Sequence, residues 1–378
     1  MKKILIINTK YKIHGGEDSN ISEEISILKK NYKVDYLEFD NSQKINIFDI
    51  LCFLTGTNLK SNKIIIKKVN KFSPDIIYIH NTWFKVGTSI FNKLLKFDIP
   101  IYLKLHNFRY DCTKSFFAKK HVKIGEICKK CGFNNKNNKK FNKYYDNSIL
   151  KSILINIYGI LYFRILNNSR INLVVLTNFH KTYLNSLNLK NNIYVSSNPI
   201  DISKLNNSYN HKSNYVVYAG VLSKPKGLYE ILDTWKKYET QLILKIIGEG
   251  EEFENLKNKY SNLSKVIFTG KLNNQLTLRE ISNARAVITA TKMFEGQPRL
   301  LCEASSLKIP SIYPSFGGMD EFFPTNYSLS FKQYDYEDLL KVIQILDDTK
   351  TLQKISYQVF EFAKTKFLNN YSFFELEE

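Results

Sequence analysis

Phe294-Glu295-Gly296-Gln297-Pro298-Arg299-Leu300-Leu301-Cys302-Glu303-Ala304 is the stretch from which the rest of the chain is read. It follows a short apolar run, Ala286–Thr289, and Pro298 stands where a helix begins, a position that proline favours. Gly296 beside that start lets a ligand approach the backbone closely. The amides and dipole of a helix start favour an anion such as a diphosphate. Glu295, just before the turn, and Glu303, inside the helix, flank that anion site. Carboxylates do not bind phosphate, but each accepts hydrogen bonds from neighbouring hydroxyls. A pyrophosphate centre with a polyol at either end, as in a nucleotide sugar, satisfies both demands. Taken alone, the stretch also fits two surface glutamates around an ordinary helix start.

Working outward, short apolar runs alternate with helical patterns, which predicts parallel strands joined by crossover helices. Strands are expected at Lys3–Asn8, Val34–Phe39, Asp75–His80, Ile101–His106 and Asn172–Thr177. Ile21, Ile25 and Leu28 form a helical stripe, with Asn20 and Glu23 as a capping box at its start. Asn198-Pro199 closes this first alternation, and Ser203 to Asn214 is a polar linker. A second alternation follows, with strands at Tyr215–Ala219, Leu242–Ile247, Val266–Thr269, Ala286–Thr289 and Ser311–Tyr313. Helices fall at Gly227–Tyr238, Glu251–Tyr260, Leu276–Ala284 and Arg299–Leu307, and a last one near Thr351–Lys366. The expected fold is α/β, with a Rossmann-like domain over 1–199 and another over 200–361 facing it across a cleft. A C-terminal helix at about 362–378 is expected to pack back on the first domain.

The 378 residues, 43% of them hydrophobic and 24% charged, suit two soluble globular domains. After Met1-Lys2-Lys3 the apolar run Ile4–Ile7 stops at Asn8, so a buried first strand is expected in place of a signal peptide. With no long uninterrupted apolar run, a cytoplasmic chain follows. Ile149 to Leu166 is apolar but interrupted by Lys151, Asn156 and Arg164, which predicts a buried helix, with a lipid contact as the lesser reading. The net charge of +20 comes without an RNP or zinc-finger pattern, so no nucleic-acid partner is expected. It fits a solvated basic surface able to lean on a polyanionic substrate or on anionic lipid, as at the inner face of the cytoplasmic membrane. Among five cysteines, Cys112, Cys128 and Cys131 cluster, the last two with the spacing that lets two thiolates share a metal. A structural zinc and three free thiols are the two readings, with His121 the nearest further ligand.

Further motifs share one pattern. Ala219-Gly220-Val221-Leu222-Ser223-Lys224-Pro225-Lys226-Gly227 precedes the turns Ile247-Gly248-Glu249-Gly250 and Phe268-Thr269-Gly270, and Gly317-Gly318-Met319-Asp320-Glu321 closes the series. In the first half stand Gly15-Gly16-Glu17-Asp18, His80-Asn81 and Leu105-His106-Asn107-Phe108-Arg109. With Glu295 and Glu303 having seven residues between them, the chain resembles the retaining GT-B glycosyltransferases of family four, the group 1 transferases, over nearly its whole length. The resemblance implies catalytic roles for His106, Glu295 and Lys226, with Lys226 neutralising the diphosphate and Glu303 gripping the ribose. It implies donor contacts at Gly15, Gly16, Gly220, Lys224, Gly248, Gly296, Gln297, Pro298 and Arg299. On the acceptor side it implies Glu17, Asp18, His80, Asn81 and Arg109. The family usually has Arg where Val221 stands, and Lys224 is the candidate to replace that charge.

The resemblance implies front-face attack with retention of configuration, assisted by the departing phosphate and needing neither a nucleophile nor a divalent ion. The nucleotide sugar is then a substrate, no cofactor takes part in the chemistry, and the partner is a glycan or lipid-linked acceptor in bacterial surface polysaccharide synthesis. The alternatives are a GT-B-like nucleotide-sugar epimerase or hydrolase, and a non-catalytic nucleotide-sugar-binding protein.

Overall fold

The computed structural model describes residues 1–10, 16–42, 47–108, 149–200, 213–238, 240–367 and 371–375. The chain forms two compact units, the first with the described residues up to 199 together with 371–375, the second with those from 200 to 367.

In the first unit the elements are β1 Lys3–Lys10, α1 Gly16–Leu28, β2 Lys33–Asp40, α2 Ile47–Thr55, α3 Leu59–Phe72, β3 Ile76–Ile79 and α4 Ser89–Leu94. β4 Ile101–Leu105, α5 Ile149–Leu166, β5 Ile171–Val175, α6 Asn178–Ser186 and β6 Ile193–Val195 complete it. The strands lie in the order β2-β1-β3-β4-β5-β6, all parallel. β1 is apolar on both faces because both faces are covered: Ile4, Leu5 and Ile6 are fully buried. Each such side chain contributes about 1.5–3 kcal/mol. The helix after β1 starts at Gly16, a turn ahead of the expected capping box, so Asn20 and Glu23 lie inside it. Asn20 is buried within the helix.

The end of the chain completes this unit's core. α12, described below, stops at Lys366, and the return is made by a short 3-10 turn at Ser372–Phe374 in place of a helix over 362–378. Tyr371, Phe373 and Phe374 are buried with Ile4, Ile6, Tyr78 and Tyr102. Phe374 meets the Tyr78 and Tyr102 rings edge-on at 5.2 and 4.9 Å, and the Tyr102 hydroxyl donates to the Phe373 carbonyl at 3.0 Å. Edge-to-face rings add to the burial term.

The second unit comprises β7 Tyr215–Ala219, α7 Leu228–Lys237, β8 Ile243–Ile247, α8 Phe253–Lys259, β9 Val266–Gly270, α9 Asn274–Ser282 and β10 Ala286–Ile288. It continues with α10 Arg299–Ser306, β11 Ser311–Ser315, β12 Ser330–Lys332, α11 Tyr336–Gln344 and α12 Thr349–Lys366. Its parallel sheet runs β12-β11-β10-β7-β8-β9. Counting from β7, that is the doubly wound order in which strand sequence reverses between the first and fourth strands. Ligands of such sheets sit outside the carboxyl ends of the strands at the reversal, here β7 and β10. In the first unit the reversal falls between β1 and β3.

Candidate functional site

The turns leaving β7, β8 and β9 are bonded to one another. Gly220 N–H donates to the Ile247 carbonyl at 3.0 Å, Leu222 N–H to Glu249 at 2.9 Å, and Gly248 N–H to Gly270 at 2.9 Å. Two glycines make this stacking feasible. Gly248 has φ 143°, and a Cβ there would stand 1.9 Å from the Gly220 carbonyl oxygen. Gly227 has φ 75° and would meet the Ala290 carbonyl oxygen at 1.9 Å. Gly227 ends the one-turn 3-10 helix Lys224–Lys226 in the left-handed conformation and passes directly into α7.

That contact draws the β10 exit against the β7 exit. Lys292 N–H donates to the Pro225 carbonyl at 2.8 Å, and the Lys226 ammonium reaches Glu295 Oε1 at 2.7 Å. Glu295 also accepts from the Thr291 hydroxyl at 3.1 Å, and Gln333 Nε2 donates to the Thr291 carbonyl at 3.2 Å. Lys292 is paired with Glu230. The pair Lys226–Glu295 is only partly exposed, at 27% and 22%. Tyr218, buried below, donates to the Val221 carbonyl at 3.2 Å. Burial, then the charge of Glu295, push its phenol above the usual range, so it stays protonated.

α10 begins at Arg299 with Pro298 as its N-cap, and no side chain caps that start. Arg299 Nε donates to Glu303 Oε1 at 2.7 Å one turn on, both side chains nearly buried. The structure thus makes Arg299 a partner of Glu303 and not a solvated first-turn residue. The turn after β11 is held by Asp320, which accepts from the Tyr313 hydroxyl at 3.1 Å and the Ser315 hydroxyl at 2.6 Å. Val221 is 56% exposed. Lys224, largely exposed, sits 3.7 Å from Glu252.

In the first unit, His80 follows β3 and His106 follows β4, both buried. His80 Nδ1 and His106 Nε2 are 2.9 Å apart, so one ring donates and the other accepts. Burial, followed by neighbouring charge from Lys104 and, for His106, from His80, holds both well below the usual histidine range. Both rings are therefore neutral at pH 7. Beneath them lies a fully buried ion pair: Lys104 Nζ donates to both Glu24 carboxylate oxygens, at 2.8 and 3.0 Å, and the Tyr78 hydroxyl donates to the same group at 2.9 Å. Asn81 is used inside the unit, its amide donating to Thr9 at 2.6 Å and its oxygen accepting from Trp83 N–H at 3.0 Å.

The structure therefore brings Lys226 to Glu295, Arg299 to Glu303, Gly220 to Gly248, and His80 to His106. Gly296, Gln297 and Pro298 lie between Glu295 and α10. Gly16 opens α1, and Glu17 and Asp18 follow it there. Gly15, Arg109, Cys112, Cys128 and Cys131 lie outside the described residues, and among the described residues no cluster of metal-ligating side chains occurs. Sequence reasoning missed Thr291, which bonds Glu295, Gln333, which holds Thr291, the neighbouring pair Lys292–Glu230, and Glu24, Tyr78 and Lys104. Only Lys104 left a signal: one lysine within the otherwise apolar strand Ile101–Leu105.

Residues 201–362 match the family model for glycosyl transferases group 1. The amylovoran biosynthesis glycosyltransferase AmsD of Erwinia amylovora is 30% identical over 146 residues, 37% of this chain. That match spans 42% of the relative's length, less than half of it. Among solved structures, sucrose-phosphate synthase from Thermosynechococcus elongatus superposes with a TM-score of 0.71 at 14% identity, covering 100% of this chain and 97% of the other. HepE of Anabaena, in complex with UDP and glucose, gives 0.63 at 14% identity, over 97% and 96%. The lipopolysaccharide outer core galactosyltransferase WaaB gives 0.61 at 15%, over 97% and 96%. At such identities the likeness bears on the fold, which is GT-B in both units' sheets. Over residues 201–362, within its second unit, the chain is similar to the group 1 glycosyl transferases.

Proposed function

We propose that this chain is a retaining glycosyltransferase that moves a sugar from a UDP- or GDP-sugar to a glycan or lipid-linked glycan in bacterial surface polysaccharide synthesis. One observation carries the reading. An uncapped helix start, α10, follows a Lys226–Glu295 pair at the strand-order reversal of the second sheet, inside the group 1 match. On this reading the α10 amides and Lys226 take the diphosphate, and Glu303 takes ribose hydroxyls. Glu295 holds the donor sugar as Lys226 shifts toward phosphate. The bond from the acceptor oxygen to the anomeric carbon forms on the face that the phosphate leaves, and the acceptor proton passes to the departing phosphate oxygen. His106, neutral, serves the sugar as a hydrogen-bonding group. The first unit serves the acceptor, and the enzyme works as a peripheral protein at the inner membrane face. HepE with UDP and glucose, and WaaB by its name, support the donor and pathway readings.

Calorimetry with UDP, GDP and their sugar conjugates tests the donor side, and NMR of the product's anomeric proton tests retention. Failure to bind any of these nucleotides would end the proposal. Exposed Val221, where the family usually carries Arg, favours a second reading as a non-catalytic binder. That reading requires nucleotide binding without sugar transfer to any acceptor, with transfer appearing in Val221→Arg.

A further inference from the structure

α2 buries its one acid and shows solvent an aliphatic stripe. Its acid, Asp49, is 4% exposed and receives Lys85 Nζ at 2.7 Å, and Cys52 is fully buried. Its aliphatic residues Ile47, Ile50, Leu51 and Leu54 are 65%, 45%, 48% and 36% exposed. These four positions, spaced three and four apart, form one stripe of the helix, and Asp49 and Cys52 lie on the opposite side. A soluble surface helix places these classes the other way round, so isolated exposed apolar residues do not account for the pattern.

α3 follows after three residues and carries a basic stripe. Lys60, Lys63, Lys67 and Lys71 are exposed, with Leu59 and Ile64 exposed among them, while Ser61, Asn62, Ile65 and Val69 are buried. No acidic residue occurs anywhere in Leu59–Phe72. An aliphatic stripe on α2 followed, three residues on, by exposed lysines on α3 has the chemistry of the membrane interface: aliphatics enter the acyl boundary, and ammonium groups meet headgroup phosphates.

We propose that the exposed face of α2 and α3 docks this protein on a bilayer surface bearing anionic headgroups. This deepens the peripheral-membrane part of the proposed function and rests on it. A second copy of the chain is the less suitable occupant, because a two-fold contact would set Lys60, Lys63, Lys67 and Lys71 against themselves with no acid in α3 to relieve them, and neighbouring Asp35 is already held by Lys68 at 2.6 Å.

Flotation with vesicles tests the proposal, using equal parts phosphatidylglycerol and phosphatidylcholine against phosphatidylcholine alone. Wild-type protein is expected to float with the anionic vesicles and to be released by salt. Leu51→Asp with Leu54→Asp is expected to weaken partitioning at least about tenfold. Lys60→Glu with Lys67→Glu acts through charge alone, and at about fivefold per lysine it lowers partitioning at least about twentyfold. UDP affinity of both double variants, read by thermal shift, stays at the wild-type value. If wild type floats and both variants float equally well, the assigned face is wrong while membrane attachment stands. If wild type does not float at all, the membrane reading itself falls. If it instead sediments as a dimer that the Leu51→Asp, Leu54→Asp variant dissociates, the face is a copy interface and the proposal is overturned.

Discussion

Lys104→Met isolates the buried ion pair beneath His80 and His106 in the first unit. With Lys104 Nζ 2.8 Å from Glu24 Oε1, the attraction at an effective dielectric of 20 is about 6 kcal/mol. Taking each ion out of water costs several kcal/mol, so the pair as a whole stands near break-even against an apolar replacement. Removing one partner is different. Glu24 is fully buried, and after the substitution its charge keeps the Tyr78 hydroxyl but loses its counter-ion. The expected loss is about 3–5 kcal/mol, or roughly 10 °C in melting temperature for a unit of this size. The double variant Glu24→Met, Lys104→Met removes both charges and should recover most of that loss. Urea unfolding followed by tryptophan fluorescence reads it, because Trp83 lies in the first unit and Trp235 in the second. The early transition should belong to the first unit. A loss under about 1 kcal/mol for Lys104→Met, or a double variant no more stable than the single, would refute the account.

Acid should unfold the first unit early. His80, His106 and His180 all have folded values below the unfolded one of about 6.5, His180 at about 3, with burial the first cause in each. The unfolded chain therefore takes up protons that the folded one refuses, and stability falls as pH drops through 6.5. At pH 5.5 this amounts to about 1.4 kcal/mol per histidine, visible as a steep loss of melting temperature between pH 7.5 and 5.5; a flat profile would contradict it. Gly227→Ala places a Cβ on the Ala290 carbonyl in a left-handed conformation and should cost more than about 2 kcal/mol by thermal unfolding. Gly270→Ala, at φ 73° with open space, should cost only about 1. Lys226→Ala should weaken UDP binding roughly ten- to hundredfold, the worth of a charge-assisted hydrogen bond, with an unchanged melting temperature of the free protein.

What the sequence disclosed follows from how local each cause is. β1 and β3 were legible because burial on both faces demands an unbroken apolar run, and no partner need be known to see it. β6 and β12 were missed: three residues long, at the edges of their sheets, they are too short to show a period. The false capping box failed for a related reason, since Asn20 and Glu23 satisfy a local pattern while α1 starts elsewhere. Glu24 reads as one acid on an amphipathic helix, and only its contact 80 residues away with Lys104 reveals that it faces the core. In the second unit the turn motifs named Lys226 and Glu295, yet their 2.7 Å pairing depends on Gly227 meeting Ala290, a contact between strands that no spacing encodes.

The net charge of +20 is therefore poorly treated as one property of a surface. Lys104 has no solvent contact and answers a single buried acid; its charge adds nothing to the field outside. Lys226 and Lys292 are each held by a carboxylate at the β10 exit, nearly neutral as a group until an anion competes for them. On the proposed function, a diphosphate arriving there would meet ammonium groups already fixed in place, and Glu295 would turn to sugar hydroxyls as new donors. In α3, Lys68 answers Asp35 at 2.6 Å, whereas Lys60, Lys63, Lys67 and Lys71 are exposed with no acid in their own helix, so these four can respond to a distant negative surface. Position relative to acid, and not the count of lysines, decides which of these acts as structure, as site or as field.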